Sequence, residues 1–304
     1  MAFDYELAKF IPFRDLEACK RVRAITREQI CDHPNPDFNI RVMQGENEFY
    51  TAFALDIVGR IREAAEAGRQ FVGIFPVGPM PQYEIAAQLI NNAQLSLKHV
   101  HTFNMDEYAD QDGNTAPPDW EGSFQRAMRE RFFALIDEEL RPPPEQIHFP
   151  TGDNIGDYSK MIEDMGGADI CYGGIGWCGH IAFWEAHLGD EFEDMDSYKQ
   201  AAARIVELHP MTIMQNALHS FGGDWSWVPP QAATIAPRDI LGAKYRSFWL
   251  DGDLGGGVSW QRFIARLVAH GPVNKYVPGS ILQEVPTTYT ILGAVADDVE
   301  IHMA

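Results

Sequence analysis

Apolar residues come in short bursts along this chain, and their spacing predicts alternating strands and helices. Runs at 38–43, 71–75, 98–103, 146–149 and 170–172 have the length and composition of buried strands. Between them, 46–67, 82–92, 120–140 and 157–165 carry apolar residues at helical spacing, with Ala, Ile, Glu and Arg filling 46–67. After residue 185 the rhythm loosens. Segment 187–230 holds Trp225, Trp227 and many turn formers, a pattern that suits a lid or an oligomer-facing insertion. Strands are expected again at 232–236, 247–251 and 287–294, with a helix at 260–270. Alternation of this kind predicts an α/β fold: a Rossmann-like, doubly wound, mostly parallel sheet with helices on both faces. Residues 1–37 stand apart. An amphipathic helix fits 16–30, and Asp32-His-Pro-Asn-Pro-Asp37 ends it with turn chemistry. We therefore expect an N-terminal helical extension, 1–37, on a single domain spanning 38–304.

Composition narrows the class. With 304 residues, 45% of them hydrophobic, the chain is long enough to bury a full core. Nineteen prolines and 26 glycines fit a loop-rich enzyme rather than a disordered chain. No apolar run reaches the roughly 18 residues of a membrane span. Met-Ala-Phe-Asp-Tyr-Glu at the start lacks the basic and apolar stretches of a secretory signal. Cys19, Cys31, Cys171 and Cys178 have no metal-ligand spacing, so a reduced, cytoplasmic protein is expected. A formal net charge of −20 argues against a nucleic-acid partner and slightly disfavours an anionic substrate; its larger meaning is solubility.

Two segments carry candidate chemistry. Gly174-Ile-Gly-Trp-Cys-Gly-His-Ile-Ala-Phe-Trp-Glu185 follows the apolar run 168–172. Gly174, Gly176 and Gly179 let the backbone bend tightly and approach a ligand, and His180 and Glu185 follow where α/β sheets place their chemistry. His101-Thr-Phe-Asn-Met-Asp-Glu-Tyr108 closes another apolar strand with the adjacent carboxylates Asp106 and Glu107. A strand-end histidine with acids on neighbouring strand ends is equipment for moving protons on a small polar substrate. His99 and His101 form a His-x-His pair with no nearby third ligand, so no metal site is expected.

These segments resemble the glucosamine-6-phosphate deaminase/isomerase family, marked by Asn-Met-Asp-Glu-Tyr and Gly-x-Gly-x-Asp-Gly-His-Ile-Ala-Phe-Asn-Glu. A third stretch, Val273-Asn274 followed by Pro278-Gly-Ser-Ile-Leu-Gln283, resembles its Val-Asn-x5-Ser-x-Leu-Gln. Similarity in motif order and strand rhythm runs over roughly 38–295. The sister 6-phosphogluconolactonases share the Gly-His turn but usually lack the later marks. The resemblance implies that Asp106 moves a proton between C2 and C1 of an open sugar. It implies that His180, partnered by Glu185, opens the ring. Neither a metal nor another cofactor is implied, and a homo-oligomer is.

Departures from the family pattern bear on the ligand. Cys178 stands at the family's Asp two residues before His180, and a thiol does not hold an imidazolium as a carboxylate does. It is expected as a small buried thiol, with a thiolate beside His180 as the alternative. Trp184 replaces an Asn and stacks on a sugar face or covers the pocket. The family's Ser/Thr-Gly phosphate loop reads Phe75-Pro-Val-Gly-Pro-Met-Pro-Gln-Tyr83, with no hydroxyl before Tyr83 and prolines removing donors. Leu218 and Gly255 align with its phosphate-binding Arg and Lys. The expected substrate-binding set is Gly78, Gly174, Gly176, Cys178, Gly179 and Trp184. A sugar or amino-sugar isomerase/deaminase with an altered phosphate site is the leading expectation, its substrate either lacking the 6-phosphate or, as a plain 6-phosphate deaminase, keeping it. A sugar lactonase, in which His180 activates water, and a sugar-binding or regulatory protein with reduced turnover are the alternatives.

Overall fold

A computed structural model of the chain describes residues 5–301 and 303. Among these residues ten strands form: β1 (Phe38–Met43), β2 (Phe71–Phe75), β3 (Val100–Asn104), β4 (Asp106–Ala109), β5 (Ile147–His148), β6 (Ile170–Gly173), β7 (Arg204–Glu207), β8 (Gln231–Thr234), β9 (Tyr245–Leu250) and β10 (Thr287–Leu292). Seven make a sheet in the order β1-β10-β9-β6-β2-β3-β5, and every pairing in it is parallel. β2 and β10 are buried at every position, because a parallel sheet is covered on both faces and its inner strands meet no water.

Right-handed crossovers decide which helix covers which face. Glu46–Glu66 and Pro81–Ala93 carry the chain from β1 through β2 to β3 and pack on each other. Arg262–His270 leads back from β9 to β10 on the opposite face, where Leu16–Arg23 packs against it. Aromatic contacts fix the first layer. Phe53 stacks on Trp249 with centroids 4.4 Å apart, and Phe49 meets the same ring edge-on at 5.2 Å. The early helix stops at Arg23, short of residue 30, but Arg266 secures the chain beyond it by donating to Ile25 O at 2.8 Å.

Two features differ from the sequence expectation. β4, β8 and β7 form a separate antiparallel sheet, with Asp106 opposite Thr234. β4 and β7 are four residues long and rich in charge, and β4 pairs with β8 across more than a hundred residues, so neither strand stands out locally. The segment 187–230 supplies β7 and the helix Pro210–Ser220 to this region. The long helix expected over 120–140 is Phe124–Arg131 followed by two single 3-10 turns. Ser123 caps its start, accepting from Arg126 N at 3.2 Å, and Phe132 leaves helical geometry at φ −131°, ψ −71°. That break buries Phe132 and Phe133 together, which a continuous helix would aim about 100° apart. Among the described residues no helix is long and apolar enough to cross a membrane.

Candidate active site

Parallel strands end on one edge, so the loops after β2, β3, β6 and β9 meet there. They enclose a cavity of about 420 Å³, to which 76–80, 105–106, 174–176 and 251–254 all contribute. Glu46 and Tyr50, at the start of the helix after β1, and Gln215, Asn216 and His219 of Pro210–Ser220 complete the wall used below.

The glycine-rich turn aims His180 into this space. Gly176 N donates to His180 O at 3.0 Å, and Gly179 takes φ +85°, a left-handed conformation that glycine adopts freely. A Cβ at Gly176 would lie 1.9 Å from His180 Nε2, so glycine keeps that nitrogen clear. From behind, Gly279 N donates to Gly179 O at 2.8 Å, which gives the C-terminal Val-Asn…Ser-x-Leu-Gln stretch a bracing role. Gln261 ties the turn to the loop after β9, donating to Ile175 O at 2.5 Å and accepting from Gly252 N at 2.7 Å.

His180 Nδ1 is held by buried neighbours. Thr212 Oγ1 lies 2.9 Å away, Cys178 Sγ 3.2 Å and Glu185 Oε2 3.2 Å. Thr212 Oγ1 donates to Glu185 Oε2 at 2.9 Å, and Cys178 Sγ donates to the same oxygen at 3.0 Å. Burial pulls the imidazole's proton affinity down, but Glu185 outweighs it, with help from Cys178, and holds His180 well above its ordinary value. Burial likewise pushes Glu185 up, and His180 outweighs it to leave the carboxyl lowered. Burial, then Glu185, pushes the Cys178 thiol up, against the lowering pull of His180, which favours the neutral thiol over the thiolate. With Nδ1 engaged, Nε2 is the nitrogen left to meet a ligand.

Asp106 sits where the chain leaves the main sheet for the small one, and its side chain is 5% exposed. Its Oδ1 has no hydrogen-bond partner. Burial raises its pKa to about 8, Glu107 adds to the rise, and His180 opposes it. Such a carboxyl keeps its proton at neutral pH and becomes a strong carboxylate base as pH approaches 8. Glu107, one residue on, faces away and caps a helix. It accepts from Tyr108 N, Ser123 Oγ, Phe124 N and Gln125 N at 2.9, 2.9, 3.0 and 2.9 Å.

Of the expected binding residues, Gly78, Gly174 and Gly176 line the cavity. Cys178 and Gly179 stand behind His180. Trp184 is a correction: it points away, 1% exposed, under the Arg204 guanidinium at 4.9 Å and beside Tyr198, and it meets no sugar face. His99 bonds to Ile61 O at 3.1 Å, and His101 stacks with His148 on β5, outside the cavity. Leu218 is 52% exposed and Gly255 lies in a surface loop, so neither reaches the wall. No Lys or Arg lines the cavity. The nearest basic residues in sequence serve the fold: Lys244 pairs with Asp169 at 2.9 Å, and Arg246 donates to carbonyls of 240–244 and 286. Cys178, His180 and Glu185 bring three metal-ligating atoms within 4.8 Å of one another. Their hydrogen bonds with Thr212 account for these contacts without an ion.

Thr212, Glu46, Tyr50 and Asp251 escaped the sequence reading. Thr212 lies in the segment taken for a lid. Asp251 directly follows β9 and Glu46 opens the helix three residues after β1, a signal the strand-end rule can use.

No protein-family model matches the chain. It is 33% identical over 233 residues to glucosamine-6-phosphate deaminase 2 of Bacillus subtilis, covering 74% of this chain and 84% of that protein. It is 31% identical over 241 residues to glucosamine-6-phosphate deaminase 2 of Giardia intestinalis, covering 77% and 82%. This chain belongs to the glucosamine-6-phosphate deaminase family. It is an enzyme of that deaminase/isomerase family. Identity to the Caenorhabditis elegans glucosamine-6-phosphate deaminase is 34% over 196 residues, with 62% of this chain and 66% of that protein covered. Among solved structures, a monomeric glucosamine-6-phosphate deaminase superposes with TM-score 0.71 at 23% identity over 84% of this chain and 98% of its own. A 6-phosphogluconolactonase from Trypanosoma cruzi gives 0.62 at 15% identity, over 89% of this chain and all of its own. At these identities the deaminase and the lactonase share this chain's fold.

Proposed function

We propose that this member of the deaminase family converts an unphosphorylated amino sugar to a ketose and ammonia. The observation that carries the reaction is Asp106, buried with a free oxygen, on the same cavity as His180. His180 Nε2 passes a proton to the ring oxygen as the ring opens, and the Glu185 carboxylate holds the imidazolium. Asp106 then takes the C2 proton of the open aldose and returns it to C1, while a proton passes from the amine nitrogen to O1, leaving a C1 hydroxyl and a C2 imine. Water adds at C2 and ammonia departs. Thr212 and Cys178 act through His180 and Glu185 and position them.

The absence of a 6-phosphate is supported by the wall's composition. Its acidic side chains are Glu46, Asp106, Asp251 and Asp253 and its basic ones the histidines His180 and His219, with no Lys or Arg. Each carboxylate about 6 Å from a phosphate charge costs on the order of 2–3 kcal/mol at an effective dielectric near 20. The loop after β2 adds little relief, since Pro76, Pro79 and Pro81 lack the N–H groups that bind anions.

The test is ammonia release from paired amino sugars with and without a 6-phosphate, with Asp106→Asn as the blank. Release from the free sugars is expected. Release from the phosphorylated sugars alone overturns the substrate assignment. If neither reacts while a sugar lactone is hydrolysed, the deaminase reading fails as well.

A further inference from the structure

The cavity has a second end. Glu46 follows β1 and Asp251 follows β9, whereas Asp106 follows β3. β9 and β3 lie three places apart in the sheet, roughly 14 Å at ordinary strand spacing. At this far end Asp251 Oδ2 accepts from Tyr50 Oη at 2.8 Å, and Asp253 Oδ1 is buried without a partner. Burial, with Glu46 adding, raises Asp251 to about 6, the sign of a carboxylate lacking a nearby cation. That the cavity is directed at a ligand stands independently on Asp106, which is 5% exposed and lines it with an unpartnered oxygen.

Three kinds of group fit differently against this wall. A phosphate adds like charge. A hydroxyl offers one donor and leaves the carboxylates uncompensated. An ammonium brings three donors and the opposite charge. A single metal ion is a poor occupant. Among the described residues, the trio with metal-ligating atoms within 4.8 Å is Cys178, His180 and Glu185; Glu46, Asp251 and Asp253 do not converge that closely.

We infer that the Glu46–Asp251–Asp253 wall is a subsite for a second ammonium group, so that the substrate is a diamino sugar with one amine at the reacting C2 and another at the carbon remote from C1. This rests on the amino-sugar reading of the same cavity. Binding is measured by calorimetry on the full chain with 1,5-anhydro analogues of 2,6-diamino-2,6-dideoxyglucose, glucosamine and glucosamine 6-phosphate. The diamino analogue is expected to bind at least 10-fold tighter than the monoamine, with a preference that shrinks as salt rises. Asp251→Asn and Glu46→Gln are each expected to reduce that preference several-fold. Equal or weaker binding of the diamino analogue overturns the inference, as does binding of the phosphorylated analogue that depends on added Mg²⁺ or Ca²⁺. If a variant fails to fold, the three affinities of the unaltered chain decide alone. The analogues cannot open, so their affinities report the subsite and not the reaction. Diamino preference without ammonia release from the parent sugars sinks the proposed reaction and leaves the subsite standing. Ammonia release from glucosamine without that preference does the reverse.

Discussion

Glycines beside His180 and glycines in the surface loop beyond Asp253 serve different purposes. Beside His180, a Cβ at Gly176 would sit 1.9 Å from the imidazole, and one at Gly179 3.2 Å from Ile264 and Val277. In the surface loop beyond the far end, off the cavity wall, Gly255, Gly256 and Gly257 all have positive φ, yet a Cβ on any of them would meet nothing within 4 Å. Gly176 is glycine because there is no room, Gly179 because its backbone turns left-handed in a tight space, and the loop set because the backbone turns left-handed in the open. The difference teaches where this fold is rigid. At the His180 end, packing and the Thr212–Glu185–Cys178 hydrogen bonds fix the reacting geometry. The Glu46–Asp251 end is set by a surface loop and a charge imbalance, which change more readily than a packed turn. Substitutions at the first end should act on kcat, and those at the second on KM.

The largest effect is expected from Asp106→Asn, which removes the proposed base and should lower kcat by about a thousand-fold. In the unaltered enzyme kcat/KM should rise with pH toward a plateau above about 8, because the carboxylate is the active form. Stability runs the other way. The folded chain holds a proton on Asp106 that the unfolded chain releases from about pH 4, so this group loses stability as pH rises toward 8. Thermal melts should show Asp106→Asn gaining on the parent by roughly 2–6 °C between pH 5 and pH 9. A variant that kept its activity would erase the assignment of the reacting end.

Gly176→Ala comes next. It should displace the imidazole and cut kcat about a hundred-fold, with the circular dichroism spectrum intact; a parallel change in KM alone would mean that His180 serves binding. Thr212→Val should cost about ten-fold in kcat and move the pH profile, since Nδ1 and Glu185 lose a shared partner. Thr212→Ser should restore both, an outcome that a purely packing role does not give. The smallest effect belongs to the far end. Tyr50→Phe removes the donor to Asp251 and should change KM about two- to five-fold, with kcat within two-fold. Were its kcat to fall ten-fold instead, the division of labour between the ends would collapse.

Much of this was legible before any coordinates. β1 and β2 have the expected bounds because a six-residue apolar-polar alternation and a five-residue apolar run between turn formers are local signals. Asp106, His180 and Glu185 were singled out by motif and strand ending; the first two line the cavity, and Glu185 is hydrogen-bonded behind His180. Trp184 and Glu107 were not legible. Each sits one residue from a group at the site, and a rotation of one position decides whether a side chain meets ligand or core. Glu107 went to the helix at Ser123, and Trp184 to the cluster around Tyr198 and Arg204.

By itself the sequence determined the parallel α/β alternation, the tight turn before His180 and the poverty of phosphate-binding residues after β2. Periodicity, glycine turns and prolines act over a few residues, so they can be read without the fold. Only the tertiary structure decided that Thr212 completes the His180 cluster, that Asp106 is buried enough to hold a proton near pH 8, and that Glu46 and Asp251 face one cavity. Desolvation and charge proximity depend on distances between segments far apart in sequence, and those distances exist only once the sheet has brought its strand ends together.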